Sequence, residues 1–400
     1  MNAIWNGIVS CLRDDQRSPD TRVQAMNVTN NSTREGKLHC LELLRFILAF
    51  LTMAWHYYWF GPTSGLVKLG GVDLPVFQYF SFTVEVFFII SGFIIIASAI
   101  NRKPADFLIS RIVRLAPCLL LCATITMVAG FLLGNRGSIK NYLASILLVP
   151  LAFHDGVDGS YWSLRYEIVF YTLIFSALCL VNIERNIYKI ALMIILYDML
   201  SILICNLFGQ EHYFSTIILK PGGNYASFFA IGILLYLIII RKKFNPVTVS
   251  TLLVACFLGC IRCYQEANKI SQFFSLPRVS PLDGCCIFLV VFGVFIFFVR
   301  VRAIPCFHAT YSLLGKTSYP LYLIHQNIGY SIFAFIGRRM ALGFDIRPVV
   351  MVAMVALAGV IANFAEPVLA VQYKRWLSSM REAIRFVYPR VHESGTGDAE

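Results

Sequence analysis

From residue 38 to residue 371 the chain alternates apolar runs with short polar connections. Each run extends over roughly 18 residues or more, the length of α-helix that crosses a hydrocarbon core of about 30 Å. The pattern predicts ten such helices, with centres near residues 49, 88, 122, 171, 197, 232, 256, 290, 326 and 360. One further apolar stretch, YLASILLVPLAF at 142–153, is too short to cross and is predicted to be re-entrant or interfacial. Residues 1–37 are polar and of mixed charge, and 372–400 are basic. The chain therefore divides into an N-terminal tail over 1–37 expected to be disordered, a membrane domain over 38–371, and a C-terminal tail over 372–400.

Composition agrees with the pattern. Hydrophobic residues make up 58% of the 400 and charged residues 14%, and the mean hydropathy is +0.69, far above that of a soluble domain. The expected fold is an all-α integral membrane protein, a bundle of about ten transmembrane helices. No separate soluble catalytic domain fits, so any chemistry must be built inside the bundle or at its rims. Residues 1–37 lack the basic start and apolar centre of a signal peptide, so the first span is expected to direct insertion. Met26 is an alternative start, and the sequons at Asn27, Asn30 and Asn31 read as chance in a cytoplasmic tail. The twelve cysteines are scattered through apolar runs and outline neither a disulfide framework nor a metal site.

Charge sets the orientation. Of the 34 lysines and arginines, 22 fall in segments that alternate counting assigns to the inner side and 10 in the outer connections. This excess places both termini in the cytoplasm of a multi-pass protein of the inner (plasma) membrane. It also accounts for the pI near 9.2 without nucleic acid; clusters such as Arg241, Lys242 and Lys243 read as orientation signals beside anionic lipid.

Several residues do not belong in lipid. Arg45 and His56 lie in LELLRFILAFLTMAWHYYW. Eleven residues of α-helix advance about 16.5 Å and turn about 1100°, so the two share one face at two depths. Such groups face a polar cavity, or else Arg45 snorkels and His56 joins an interfacial aromatic belt with Tyr57, Tyr58 and Trp59. Glu85 sits in the otherwise uncharged FTVEVFFIISGFIII and needs a partner, for which Arg45 and His56 are the candidates by depth. In the same helix Ser91 and Gly92 read as a close-packing pair. Arg111 and Arg114 stand three apart on one helical face at the inner rim, suited to holding phosphates or lipid headgroups. The outer stretch HDGVDGSYWSLRYEIVFY carries His154, Asp155, Asp158, Trp162, Arg165 and Glu167. Arg165 and Glu167, two apart, point different ways, so one of them is expected to face the cavity. His325, Asn327 and Glu366 are further polar residues within later spans.

These pieces in this order resemble the acyltransferase-3 family of integral membrane O-acyltransferases, which modify O-antigens, exopolysaccharides and lipo-oligosaccharide (Nod-factor) signals. The resemblance covers 38 to about 370. It rests on Arg45 and His56, FFIISGF, Arg111 and Arg114, YWSLRYEIVFY, and SYPLYLIH. One departure is Ile168, where the family often has a second acidic residue directly after the glutamate. The resemblance implies transfer of an acyl group, usually acetyl, from cytoplasmic acyl-coenzyme A to a hydroxyl of an extracytoplasmic or lipid-linked glycan, with no permanently bound cofactor. It puts the essential pair at Arg45 and His56, the donor phosphates on Arg111 and Arg114, and the loop carboxylate at Glu167. On this scheme His56 takes the acceptor proton, oriented by Glu85 or Glu167, and Arg45 stabilises the oxyanion. Tyr57, Tyr161, Trp162 and His325 are expected to contact substrate, and an acyl-histidine relay is the alternative route. The rival class is a secondary transporter of a glycan or small organic anion, for which buried Arg, His and Glu would form the pathway; no repeat between the two halves supports it.

Overall fold

The computed structural model describes residues 39–68, 75–134, 138–147, 156–209, 220–301, 307–338 and 344–387. The N-terminal tail, His154 and Asp155, and the end of the C-terminal tail, for which the sequence carries expectations, lie outside the described residues. Among the described residues all regular structure is helical. The elements are α1 (His39–Thr63), α2 (Pro75–Ala99), α3 (Pro104–Leu132), the short α4 (Ile139–Leu147), α5 (Gly159–Leu180), α6 (Ile183–Phe208), α7 (Ala226–Ile239), α8 (Pro246–Phe273), α9 (Pro281–Arg300) and α10 (His308–Gly337). The chain then runs through α11 (Arg347–Val360) and a π-helical turn (Ile361–Ala365) into α12 (Glu366–Val387).

Eight of these units are long and apolar enough to cross a membrane: α1, α2, α3, α5, α6, α8, α9 and the continuous α11–α12. Each of the ten predicted centres falls within a helix. The two outside the eight depart for opposite reasons. α10 has 30 residues but is interrupted by polar ones such as Lys316, His325 and Asn327. α7 is strongly apolar but has only 14 residues. The apolar stretch at 142–153 begins in α4, whose nine residues are too few to span.

The short α7 is buried on every side, from Ala226 through Leu237, as a helix apolar all round should be. Glycine explains how it fits. A Cβ on Gly92 of α2 would stand 2.1 Å from the Phe229 carbonyl oxygen, and one on Gly232 of α7 would stand 2.1 Å from that of Ile89, so the two backbones touch where any side chain would part them. A buried ion pair anchors the start of α7. Arg262 of α8 meets Asp198 of α6 at 2.5 Å and the Gly223 carbonyl at 3.1 Å, while Asp198 accepts from the Ser227 amide at 3.1 Å. Other helix starts are capped from sequence: Asn182 accepts from the Arg185 amide, Asn245 from the Thr248 amide, and Ser280 with Asp283 forms a capping box.

The interior holds two apolar clusters. One gathers residues of α2, α5, α6, α7, α8 and α9, and the other gathers the outer part of α1 with α3, α10 and α11. α1, α2, α5 and α10 meet along the seam between them, and Arg45, His56, Glu85 and Glu167 lie there.

Candidate functional site

The part of the seam expected to face inward, the inner cavity, is a narrow space of about 50 Å³ walled by all four of those helices. α1 supplies Arg45, α2 supplies Val84 and Ser91, α5 supplies Glu167, and α10 supplies Ser318 and Tyr322. Glu167 accepts from the Tyr171 hydroxyl, one turn away, and from Ser91 Oγ at 3.4 Å across the helix gap. Arg45 keeps its Nε buried without a hydrogen-bond partner and lies within electrostatic reach of Glu167, Tyr171 and Arg114. Arg111 turns inward, with its guanidinium 5.6 Å from the Phe107 ring and 5.9 Å from the Tyr171 ring, so its side chain is buried in the bundle instead of reaching for headgroups. Three arginines thus gather near Glu167, with Glu42 within electrostatic reach of Arg45 and Glu366 within reach of Arg114, and the buried Arg45 and Arg111 leave guanidinium nitrogens without a partner at this end of the cavity.

The outer part is larger, about 380 Å³. Its polar wall is His56, Thr52 and Ser81, with Glu85 from α2 and Glu266 and Lys269 from α8. The rest is aromatic, including Trp55, Trp162, Tyr166 and Tyr225. Val84 and Tyr322 line both cavities and stand between them. The Tyr322 hydroxyl is fixed by Ser163 Oγ at 2.7 Å and the Ser160 carbonyl at 3.1 Å. His56 opens a π-helical turn, His56–Phe60, a wide turn often found at functional sites. Its register with Arg45 is therefore still α-helical, and the two do line successive cavities along one face.

His56 departs from expectation in its partner. Its Nδ1 lies 2.9 Å from the Tyr330 hydroxyl of α10, which also approaches the His56 carbonyl at 3.3 Å. Neither Glu85 nor Glu167 orients it: Glu167 belongs to the inner cavity, and Glu85 stands in the outer one with its Oε2 buried and unpartnered. The expected pairing of Glu85 with Arg45 is also replaced, because Glu85 lies within electrostatic reach of Glu266 and Lys269 instead. Of the expected substrate contacts, Trp162 lines the outer cavity, whereas Tyr57, Tyr161 and His325 line neither cavity. Tyr57 is fully buried and donates to the His325 carbonyl at 2.6 Å, and Tyr161 is packed in the apolar core. His325 is fully buried 5.0 Å from the His56 ring, and its Nδ1 faces the carbonyls of Tyr322 at 2.8 Å and Leu321 at 3.1 Å.

Directly before α5, Asp158 is almost wholly buried and holds α5 against α10. It accepts from the Ser160 amide at 2.9 Å, from Ser160 Oγ at 2.7 Å and from the Asn327 amide at 2.9 Å. Burial pushes its carboxyl up to about 6, with these hydrogen bonds pulling the other way. Ser91 bonds Glu167 across the helix gap, and its neighbour Gly92 makes the close approach to α7. Tyr330, Tyr322, Glu266 and Lys269 escaped the sequence reading. Tyrosine is common at membrane rims, and a Glu–Lys pair three apart on a helix reads as a solvated surface pair. Among the described residues no three His, Cys, Asp or Glu side chains gather as a metal site would require.

Comparison with known proteins follows this geometry. The chain is similar to the exopolysaccharide production protein ExoZ of Rhizobium meliloti (strain 1021), 28% identical over 297 residues that cover 70% of this chain and 85% of that protein. No solved structure matches. The acyltransferase domain model of the acyltransferase-3 family matches residues 38–363, which include every helix that walls the two cavities, and the chain belongs to that family of membrane acyltransferases.

Proposed function

We propose that the protein moves an acyl group, most simply acetyl, from cytoplasmic acyl-coenzyme A to a hydroxyl of a glycan presented at the outer side of the membrane or carried on a lipid. The observation that carries this reading is the pair of cavities set end to end along the seam, the inner one beside three arginines and the outer one containing His56. An anionic donor entering from the inside meets Arg111 and Arg114, whose guanidiniums suit its phosphates. The pantetheine arm then runs past Arg45 toward the neck at Val84 and Tyr322, and the thioester meets the acceptor there. The acceptor oxygen adds to the thioester carbonyl, and the carbon–sulfur bond breaks. His56 takes the hydroxyl proton and the thiolate leaves on coenzyme A.

The hydrogen bonds of His56 fit this role. With the Tyr330 hydroxyl proton directed at the His56 carbonyl, the imidazole donates Nδ1–H to the phenol oxygen and keeps its Nε2 lone pair for the acceptor proton. Arg45 supplies positive charge near the developing oxyanion. The name of the relative supports a polysaccharide as acceptor, and the positive-inside count supports ten spans with both termini in the cytoplasm.

Purified protein in nanodiscs with radiolabelled acetyl-coenzyme A tests the reading. Arg111→Ala is expected to weaken donor binding at least tenfold. His56→Ala is expected to bind donor normally and to lose thioester hydrolysis and transfer while still inserting. Full activity of His56→Ala would end the scheme, and absence of donor binding by every form would favour transport.

A further inference from the structure

The outer cavity has an electrostatic character that the acyl-transfer reading does not require. We propose that it is an acceptor subsite for an uncharged sugar residue and rejects sugars that carry a carboxylate, such as uronic acids. The inference rests on the function proposed above only in calling the bound glycan an acceptor.

Two features point to a sugar. Trp162, Tyr166 and Tyr225 are packed ring to ring, with Trp162 and Tyr166 at 5.4 Å and 4.8 Å from Tyr225, and they offer flat apolar surface to the C–H face of a pyranose. Glu85 is 3% exposed, lines the same cavity and keeps its Oε2 without a hydrogen-bond partner. Whether ionised or protonated, this carboxyl keeps one oxygen free to bond a sugar hydroxyl.

The charge balance identifies the class. Among the described residues the cavity wall carries two carboxyl groups, Glu85 and Glu266, and one ammonium, Lys269. That ammonium already meets Glu266 at 3.3 Å. The nearby guanidinium of Arg262 is committed to Asp198, Ser201 and the Gly223 carbonyl. Arg45 lines the inner cavity, Arg278 lines a separate recess behind Ile270, and Arg165 lines neither. A sugar carboxylate here would be desolvated beside Glu266, with only the ammonium that Glu266 already holds to receive it, whereas a neutral sugar loses nothing on this account.

The test is binding, read from the fluorescence of Trp55 and Trp162 in nanodisc-embedded full-length protein. The probes are matched tetrasaccharides in gluco, galacto and manno configuration, each neutral or oxidised to the uronic acid at C6. At least one neutral probe is expected to bind, with its uronic counterpart tenfold or more weaker. Glu266→Gln should narrow that ratio and Lys269→Gln should widen it, and raising the salt should narrow it in the wild type. A uronic probe that equals or exceeds its neutral partner, a ratio that neither variant moves, or no binding by any neutral probe would overturn the proposal. Binding with this preference but no acyl transfer would leave the proposal standing and sink the function above; transfer to uronic and neutral acceptors alike would do the reverse.

Discussion

His56 begins the widened turn of α1 and is held by Tyr330, a residue 274 positions later in the chain. That single contact decides which imidazole nitrogen is free. Tyr330→Phe removes the phenol oxygen while keeping the ring, so His56 loses its tautomeric preference and part of its orientation. Acyl transfer to an envelope glycan fraction should fall about ten- to a hundredfold in kcat, with the donor KM unchanged. A variant that kept its rate would remove Tyr330 from the mechanism. Arg45 and His56 were legible as a pair because an eleven-residue spacing on a helix is a geometric statement in itself. Tyr330 was not, because its role depends on where α10 lies against α1.

Between elements, α7 shows how packing and charge combine. It lacks the length of a full span and is enclosed by α2, α6 and α8. Its contact with α2 depends on Gly92 and Gly232 and its N-terminal end on the Asp198–Arg262 pair. The pair is buried, with side-chain exposures of 6% for Arg262 and 0% for Asp198. Removing one partner alone leaves a charge without compensation, and this costs about 3–5 kcal/mol. Asp198→Ala should therefore lower the thermal midpoint in detergent steeply, and the double replacement Asp198→Leu with Arg262→Met should recover most of the loss. If the single variant proved as stable as the wild type, the pair would not be what holds α7. Because Tyr225 directly precedes α7 and lines the outer cavity, the same double variant should alter acceptor binding before it alters donor binding.

At the scale of the molecule, the seam between two apolar clusters gives a membrane protein room for polar chemistry. There α1, α2, α5 and α10 converge to leave two cavities that a valine and a tyrosine separate. Under the proposed orientation this axis has a direction, with Arg111 and Arg114 toward the cytoplasm and the cavity containing His56 and Glu85 toward the outside. Single cysteines at position 244, between α7 and α8, and at position 277, between α8 and α9, introduced in a background whose native cysteines do not react, test this. The cysteine at 277 should be labelled by an impermeant maleimide from outside, and the one at 244 only after the membrane is opened. The reverse pattern would invert the donor and acceptor sides.

The sequence by itself determined the class of the protein, the centres of its helices, the family and the register of Arg45 with His56. All of these follow from local quantities: length of apolar run, spacing along one helix, and the order of short motifs. Tertiary structure alone decided which helix faces meet. It placed Glu167 in one cavity and Glu85 in the other, gave His56 a tyrosine in place of a carboxylate, and buried Tyr57 and Tyr161 away from both. It also turned the ordinary pair Glu266 and Lys269 into part of the outer wall. The physical reason is that a helix with apolar residues on every face carries little information about which side is buried. Lipid and protein interior are alike to leucine, so the choice of neighbours falls to glycines that permit close approach and to buried polar groups whose partners lie far away in sequence.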